Sequence, residues 1–163
     1  PPRSTLEADR RQRQMCIRDR LSGVDKAQLK LLAFTSEALS FNPGEYLFKL
    51  NDSSDSVYVI LEGEVDVVRD DDPDNPVNLA TVGKNNLMGE MGVFLDLPRN
   101  ASIIAKDKVQ TLKIPANRFI KLVTENPDAA LEVMRQLSQK IAFTSEMALS
   151  TKNELRQLRA QQE

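Results

Sequence analysis

The chain has 163 residues, of which 40% are hydrophobic and 28% charged, a composition typical of a soluble globular domain with one hydrophobic core. The longest apolar runs, such as Val57 to Leu61, fall far short of the ~20 residues that span a membrane. The N-terminus lacks the apolar core of a signal peptide, so we expect a cytoplasmic protein without a membrane partner. The formal net charge of −2 gives no overall field that would attract nucleic acid.

The absence of histidine is the strongest exclusion in the composition. Nucleophile arrangements of the Ser-His-Asp or Cys-His type, and zinc or iron sites with imidazole ligands, all require a histidine. We therefore expect no catalytic residue and no metal, although a site built from carboxylates alone stays open. Cys16 is the single cysteine, so an internal disulfide is excluded.

Residues 1–20 differ from the rest of the chain, since they contain six arginines and almost no apolar periodicity. Part of this leader, RQRQMCIRDR, is similar to translated adapter sequence, and a disordered basic tail is the alternative. The fold prediction therefore begins at Leu21. Residues 21–125 are expected to form one domain and residues 126–163 a long helix.

The first predicted element is a helix from Leu21 to Ser36 with Asp25 as its N-cap. Apolar residues then fall mostly at alternate positions from Leu39 to Val67, which indicates short strands. Turn sequences separate these strands at 42–44, 51–55, 63 and 70–76, and further strands are predicted at 77–82, 101–105 and 109–114. Short strands at this spacing are typical of an antiparallel sandwich or barrel.

The period becomes helical again after Ile114, with a short helix that ends near Asn126 and a long helix that starts at Pro127. A seven-residue repeat runs along the long helix, with two threonines in core slots: Met134, Leu137, Ile141, Thr144, Ala148, Thr151, Leu155 and Leu158. The repeat fits a helix packed on its own domain and a parallel dimer seam equally well.

An unusual insert, Leu87 to Ala105, interrupts the strand pattern and contains Gly89, Glu90 and Arg99. These residue types suit the parts of a cyclic nucleotide. Arginine donates two parallel hydrogen bonds to a phosphate, and glycine lets backbone N–H groups approach it. A carboxylate suits the ribose 2′-hydroxyl. The alternative is that Glu90 and Arg99 simply pair with each other at the base of the loop.

The insert resembles the phosphate-binding cassette of cyclic-nucleotide-binding domains, as in bacterial catabolite activator protein and the regulatory subunits of cAMP-dependent protein kinase. The matching positions are Gly89, Glu90, Met91, Gly92 and Val93, then Arg99, Asn100 and Ala101. The resemblance extends over roughly residues 21–150. It implies a mainly β fold with flanking helices: a double-stranded β-helix (a jelly-roll-like β-roll) with an N-terminal helix, a short hinge helix and a long C-terminal helix.

The resemblance also assigns roles to single residues. It implies that Glu90 holds the ribose hydroxyl and that Arg99, with nearby backbone N–H groups, holds the phosphate. Val67 and Val82 fall where the family lines its pocket. Thr144 and Ser145 match residues that cap the purine in a dimer, so a homodimer through the C-terminal helix is implied. The alternative to this capping role is that Thr144 and Ser145 are ordinary polar residues of the helix.

Three departures from the family pattern concern the ligand, a turn and the output. Asn100 replaces the usual small residue after the arginine, at a position that influences the choice between cAMP and cGMP. The usual glycine after the second strand is absent, and Asn51, which tolerates a left-handed backbone, lies near that turn. The sequence ends at Glu163, where a transcription activator would continue into a DNA-binding domain.

We therefore expect a non-enzymatic sensor whose ligand is cAMP or cGMP, with cAMP preferred, and which needs no further cofactor. Movement of the long helix over the ligand would transmit the signal. The alternatives are a scaffold module of the same fold without ligand, or a truncated Crp/Fnr-type transcription regulator. A β-barrel enzyme is disfavoured by the absence of histidine.

Overall fold

The structure is a computed structural model that describes residues 35–72 and 74–160. The predicted N-terminal helix at 21–36 lies outside the described residues except for Thr35 and Ser36. The leader at 1–20 and Cys16 also lie outside them.

Eight strands are present in the described part of the chain: β1 (Glu37–Phe41), β2 (Tyr46–Phe48), β3 (Ser56–Glu62), β4 (Val65–Arg69), β5 (Val77–Val82), β6 (Leu87–Met88), β7 (Ser102–Ala105) and β8 (Val109–Pro115). They form two antiparallel sheets with strand orders β1-β8-β3-β6 and β2-β7-β4-β5. The predicted mainly β fold, a β-roll followed by a long C-terminal helix, is confirmed.

After β6, the described part of the chain contains three helices: α1 (Glu90–Leu95), α2 (Ala116–Glu125) and α3 (Pro127–Ala160). The last two lie where the sequence pattern predicts them. Asn126 separates α2 from α3, and its buried side-chain amide donates to the carbonyl oxygen of Leu122 at 2.9 Å. This bond satisfies one of the last carbonyls of α2, and Pro127 then starts α3 as predicted. No helix in the described part of the chain is long and apolar enough to cross a membrane.

Strand β3 has an uninterrupted apolar run because both of its faces are covered. Neighbouring residues of a strand point to opposite faces, so Val57 and Tyr58 enter different hydrophobic clusters. The outer cluster lies between this sheet and the helices: Val57, Leu87, Leu112, Ile114, Phe119, Leu122, Ala129 and Val133. The inner cluster lies between the two sheets: Leu47, Tyr58, Ile60, Val65, Met88, Ile103, Ala105 and Val109.

Helix α3 packs on its own domain through its first half. Ala129 and Val133 are buried in the outer cluster, and Leu137 packs against it. At the other repeat positions, Met134 and Ile141 are 55% and 67% exposed. The predicted packing of the long helix on its own domain is therefore confirmed for its first turns. The dimer seam stays a prediction, and the repeat positions from 141 to 155 that it would use are exposed.

Candidate functional site

The candidate site is the cassette, residues 89–101, which connects β6 to β7 and contains α1. Gly89 precedes α1 with a φ angle of 84°, in the left-handed region that favours glycine. A Cβ atom built on Gly89 would overlap the guanidinium of Arg99 and lie 3.3 Å from the ring of Phe48. Glycine is thus required here both by the backbone angle and by the approach of Arg99.

Arg99 is 3% exposed, and its guanidinium points back toward the start of the cassette. Nη1 donates to the carbonyl oxygen of Gly89 at 2.7 Å, and Nη2 donates to the carbonyl oxygen of Ser56 at 2.6 Å. The guanidinium carbon lies 4.2 Å from the centre of the Phe48 ring, a cation–π arrangement. Nε is buried and has no hydrogen-bond partner among the described residues.

The backbone of Arg99 is also fixed, by the turn between β2 and β3. The N–H of Arg99 donates to the carbonyl oxygen of Asp52, and the N–H of Asn51 donates to the carbonyl oxygen of Arg99, both at 2.9 Å. Asn51 has a φ angle of 68°, so the expected left-handed backbone at this position is confirmed. This turn therefore sets the position from which the arginine side chain enters the site.

Burial is the main effect on the titration of Arg99. It lowers the pKa of the guanidinium from its ordinary value, and four nearby acidic groups oppose it: Tyr58, Asp55, Asp52 and Glu90. Arginine starts from so high a pKa that the side chain stays charged. The site therefore contains a desolvated positive charge.

Glu90, the first residue of α1, is 2% exposed and pairs with a lysine of the long helix. Nζ of Lys140 lies 2.7 Å from Oε1 of Glu90, and it also donates to the carbonyl oxygen of Leu87 at 2.5 Å. Glu90 and Arg99 thus take different partners, and the alternative in which they simply pair with each other is wrong. One turn earlier in α3, the side chain of Gln136 accepts from the N–H of Leu87 at 3.1 Å.

The remaining cassette positions differ in exposure. Gly92 and Ala101 are buried, whereas Met91 is 42% exposed and Asn100 is exposed. A Cβ atom on Gly92 would overlap the hydroxyl of Ser54, which explains the small residue there. The carbonyl oxygen of Asn100 accepts from Nη1 of the Arg69 side chain at 3.2 Å, and its own side chain stays available at the surface.

The predicted pocket and capping residues lie outside the cassette in the sequence and differ in exposure. Val67 and Val82 are half-buried and pack against the inner cluster. Thr144 and Ser145 are exposed on α3, and the hydroxyl of Thr144 donates to the carbonyl oxygen of Lys140 at 2.8 Å. Among the described residues, neither of these two side chains has a hydrogen bond to the cassette. Their capping role stays a prediction.

Three contacts of the site were not predicted from the sequence: those of Lys140, Phe48 and Ser56. Lys140 and Gln136 are four residues apart, which places both on one face of a helix. That spacing indicates a polar face of the helix, but it does not predict a contact with a residue fifty positions away. The alternation of apolar residues predicts a strand at Phe48. Nothing in the sequence around Phe48 predicts its contact with Arg99.

No group of histidine, cysteine, aspartate or glutamate side chains is placed to hold a metal ion within residues 35–72 and 74–160. The charged side chains of the site include Arg99, Glu90 and Lys140, and the first two are buried. Such an arrangement has the charge and the hydrogen-bonding groups to hold a small polar ligand.

Comparison with known proteins gives a consistent result. Residues 38–126 match the model of the family described as the cyclic nucleotide-binding domain. An alignment of 127 residues to neuropathy target esterase sws of Drosophila willistoni shows 30% identity, and it covers 72% of this chain but 8% of that protein. The chain thus spans less than a tenth of the length of this relative.

Solved structures agree with the fold. The regulatory subunit of a cAMP-independent protein kinase A from Trypanosoma brucei is 26% identical, with a TM-score of 0.70 over 88% of this chain and 53% of that chain. The catabolite activator protein of Thermus thermophilus is 20% identical, with a TM-score of 0.66 over 80% of this chain and 62% of that chain. The second likeness is one of fold alone.

Proposed function

Because this chain belongs to the cyclic nucleotide-binding domain family, we propose that it is a sensor that binds a cyclic nucleotide, preferentially cAMP, at the cassette. The observation that carries the proposal is the buried Nε of Arg99, which has no partner among the described residues. A buried unpaired donor costs about 1–3 kcal/mol and calls for an explanation. A phosphate oxygen is the acceptor that an arginine N–H binds most strongly.

Glu90 supports the ribose part of the proposal. Within the described residues it receives one hydrogen bond, from Lys140 at Oε1. Its second oxygen, Oε2, is therefore left to accept from a ribose 2′-hydroxyl. A carboxylate acceptor makes a shorter and stronger bond to a hydroxyl than a neutral oxygen does.

The base would lie between the roll and the long helix. The half-buried side chains of Val67 and Val82 offer apolar contacts to the purine. Thr144 and Ser145, exposed on α3, would cap it when the helix moves, with α2 as the hinge and a second copy of α3 as the partner helix. A ligand shifts such a movement only by contacts that differ between the open and the capped state.

The proposed activity is binding without catalysis of its own. The esterase that matches this chain does so over 8% of its length, so its name gives no activity to the matched stretch. The absence of histidine leaves no imidazole for acid–base or nucleophilic chemistry.

A second candidate function is a scaffold module that keeps the fold and binds no nucleotide. The observation in its favour is that both Nη atoms of Arg99 already donate to backbone carbonyls, those of Gly89 and Ser56. Under that interpretation, Arg99 is a structural residue whose hydrogen bonds connect the cassette to β3.

Isothermal titration of the full chain with cAMP, cGMP and 2′-deoxy-cAMP separates the two functions. We expect cAMP to bind at micromolar or lower Kd, cGMP more weakly, and 2′-deoxy-cAMP about tenfold more weakly, since the bond to Glu90 is lost. Absence of heat and of any shift in melting temperature with all three nucleotides would favour the scaffold.

A further inference from the structure

The end of strand β4 contacts the chain directly after Arg99. Arg69 is the last residue of β4, and Asp70 follows it. Nη1 of Arg69 donates to the carbonyl oxygen of Asn100 at 3.2 Å. The carboxylate of Asp70 accepts from the hydroxyl of Ser102 at 2.7 Å. Two adjacent residues at the end of the strand therefore bind the chain one and three positions after the arginine that we assign to the phosphate.

The hydroxyl group of Ser102 has one hydrogen, and the carboxylate of Asp70 fixes where that hydrogen points. Oγ of Ser102 lies 2.7 Å and 2.9 Å from the two carboxylate oxygens. An ionised carboxylate accepts hydrogen bonds and cannot donate them, so the hydroxyl must donate to Asp70. Its lone pairs are then left for the N–H of Leu50, which donates to Oγ at 2.8 Å. Ser102 is 0% exposed, which keeps bulk water from competing for either bond.

Asp70, Ser102 and Leu50 form a hydrogen-bonded chain, the Asp70 network, that ends at the turn between β2 and β3. Leu50 precedes Asn51, whose N–H donates to the carbonyl oxygen of Arg99 at 2.9 Å. The direction of the Ser102 hydroxyl thus helps to fix the turn, and the turn fixes the backbone of Arg99. A charge-assisted hydrogen bond depends on direction as well as on distance, so the placing of this backbone affects the bond from Nε to a phosphate.

We propose that Asp70 is a positioning residue of the nucleotide site, which acts through the Asp70 network on the direction of the Arg99 guanidinium. The inference rests on the proposed function and deepens it, since it adds a residue at a strand end that sets the strength of the phosphate contact. A carboxylate that touched the phosphate would repel it, so Asp70 acts only through Ser102.

The sign of the effect separates positioning from the loss of a charge. Asp70 is acidic, so removal of its charge alone would favour the binding of an anion. Loss of the Asp70 network frees the hydroxyl of Ser102 and loosens the turn that holds Arg99, which weakens binding. Asp74 is an exposed residue of the connection between β4 and β5, so Asp74→Ala removes the same charge from the same part of the chain. Positioning therefore predicts weaker binding for Asp70→Ala and no loss for Asp74→Ala.

The test measures the Kd for cAMP by isothermal titration of the full chain, at a temperature where each variant is folded. Asp70→Ala is expected to raise the Kd about 3- to 30-fold, as for residues that are coupled in one hydrogen-bond network. Asp70→Asn should stay within about threefold of the wild type, since the amide oxygen still accepts from the hydroxyl. Asp74→Ala should bind at least as tightly as the wild type.

The same titrations in an Arg99→Lys background distinguish positioning from a general loss of structure. Lysine has a flexible stem and no planar fork, so the direction set by the Asp70 network has little effect on its contact with a phosphate. We expect Asp70→Ala to raise the Kd by less than about twofold in that background. A merely structural role of Asp70 would raise the Kd by the same factor in both backgrounds.

Hydrogen exchange without ligand tests the Asp70 network by itself. The amides of Leu50 and Asn51 should exchange faster in Asp70→Ala than in the wild type, because the turn that they belong to opens more often. Asp74→Ala is the control, and its exchange at these two amides should equal that of the wild type.

Four results would overturn the inference. If Asp70→Ala binds cAMP as tightly as the wild type or more tightly, Asp70 does not position Arg99. If the Kd rises by the same factor in both backgrounds, the role of Asp70 is structural alone. If the exchange of Leu50 and Asn51 is unchanged, the Asp70 network does not hold the turn. If the wild type binds no cyclic nucleotide, the proposed function fails and the inference with it, a result that is seen before any variant is compared.

Discussion

Replacing Arg99 by leucine removes two kinds of interaction that the structure allows us to separate. The guanidinium donates to the carbonyl oxygens of Gly89 and Ser56. With ligand, its buried Nε is the donor that we assign to the phosphate. The first kind of interaction affects the free energy of unfolding, and the second affects the affinity.

The expected sizes follow from these contacts. Each carbonyl left buried and unpaired costs about 1–3 kcal/mol, and leucine offsets part of this because it suits a buried position better than a charge does. We therefore expect a loss of unfolding free energy of about 1–4 kcal/mol. Loss of the charge opposite the phosphate should weaken cAMP binding by about 2–5 kcal/mol, which corresponds to a Kd roughly 30- to 4,000-fold higher.

The assay pairs urea denaturation, which measures unfolding, with isothermal titration of cAMP at a temperature where the variant is folded. Arg135→Leu is the matched control, since within the described residues Arg135 forms only a surface ion pair with Glu132, of a kind worth about 0–1 kcal/mol. Arg99→Lys should fall between the leucine variant and the wild type, because it keeps the charge but not the planar fork. A folded Arg99→Leu variant with near wild-type affinity would refute both the phosphate role and the charge argument.

Three further predictions concern the backbone that surrounds Arg99. Gly89→Ala should destabilise the protein by about 1–3 kcal/mol in urea denaturation and weaken cAMP binding, because it forces a Cβ at a φ of 84° into the guanidinium of Arg99; equal stability would contradict the geometry. Asn51→Val should cost about 1–2 kcal/mol, since a β-branched residue does not tolerate a φ of 68°, whereas Asn51→Gly should not destabilise. Gly92→Ala should destabilise by about 1–3 kcal/mol although alanine favours helix, because its methyl group overlaps Ser54; a stabilised variant would show that the loop at Ser54 yields easily.

Much of the fold could be predicted because its signals are local. The alternation in β3 to β5, the turn at Asn42 to Gly44 and the start of α3 at Pro127 each depend on a few adjacent residues. The cassette could be located for the same reason, since its residues lie within thirteen positions of one another. The domain boundaries and the homodimer stay predictions.

The sequence by itself determined which residue types stand in the cassette and in which order, including the glycine before Glu90. It could not determine the partners of Glu90 and Arg99. Lys140 reaches Glu90 from a helix fifty residues away, and Ser56 receives the guanidinium from a strand forty-three residues away. Periodicity tells which face of an element is buried, whereas the pairing of two buried charges depends on how the elements pack against each other. Only the tertiary structure decided that the acid of the cassette is held by the long helix and that the arginine is tied to the roll.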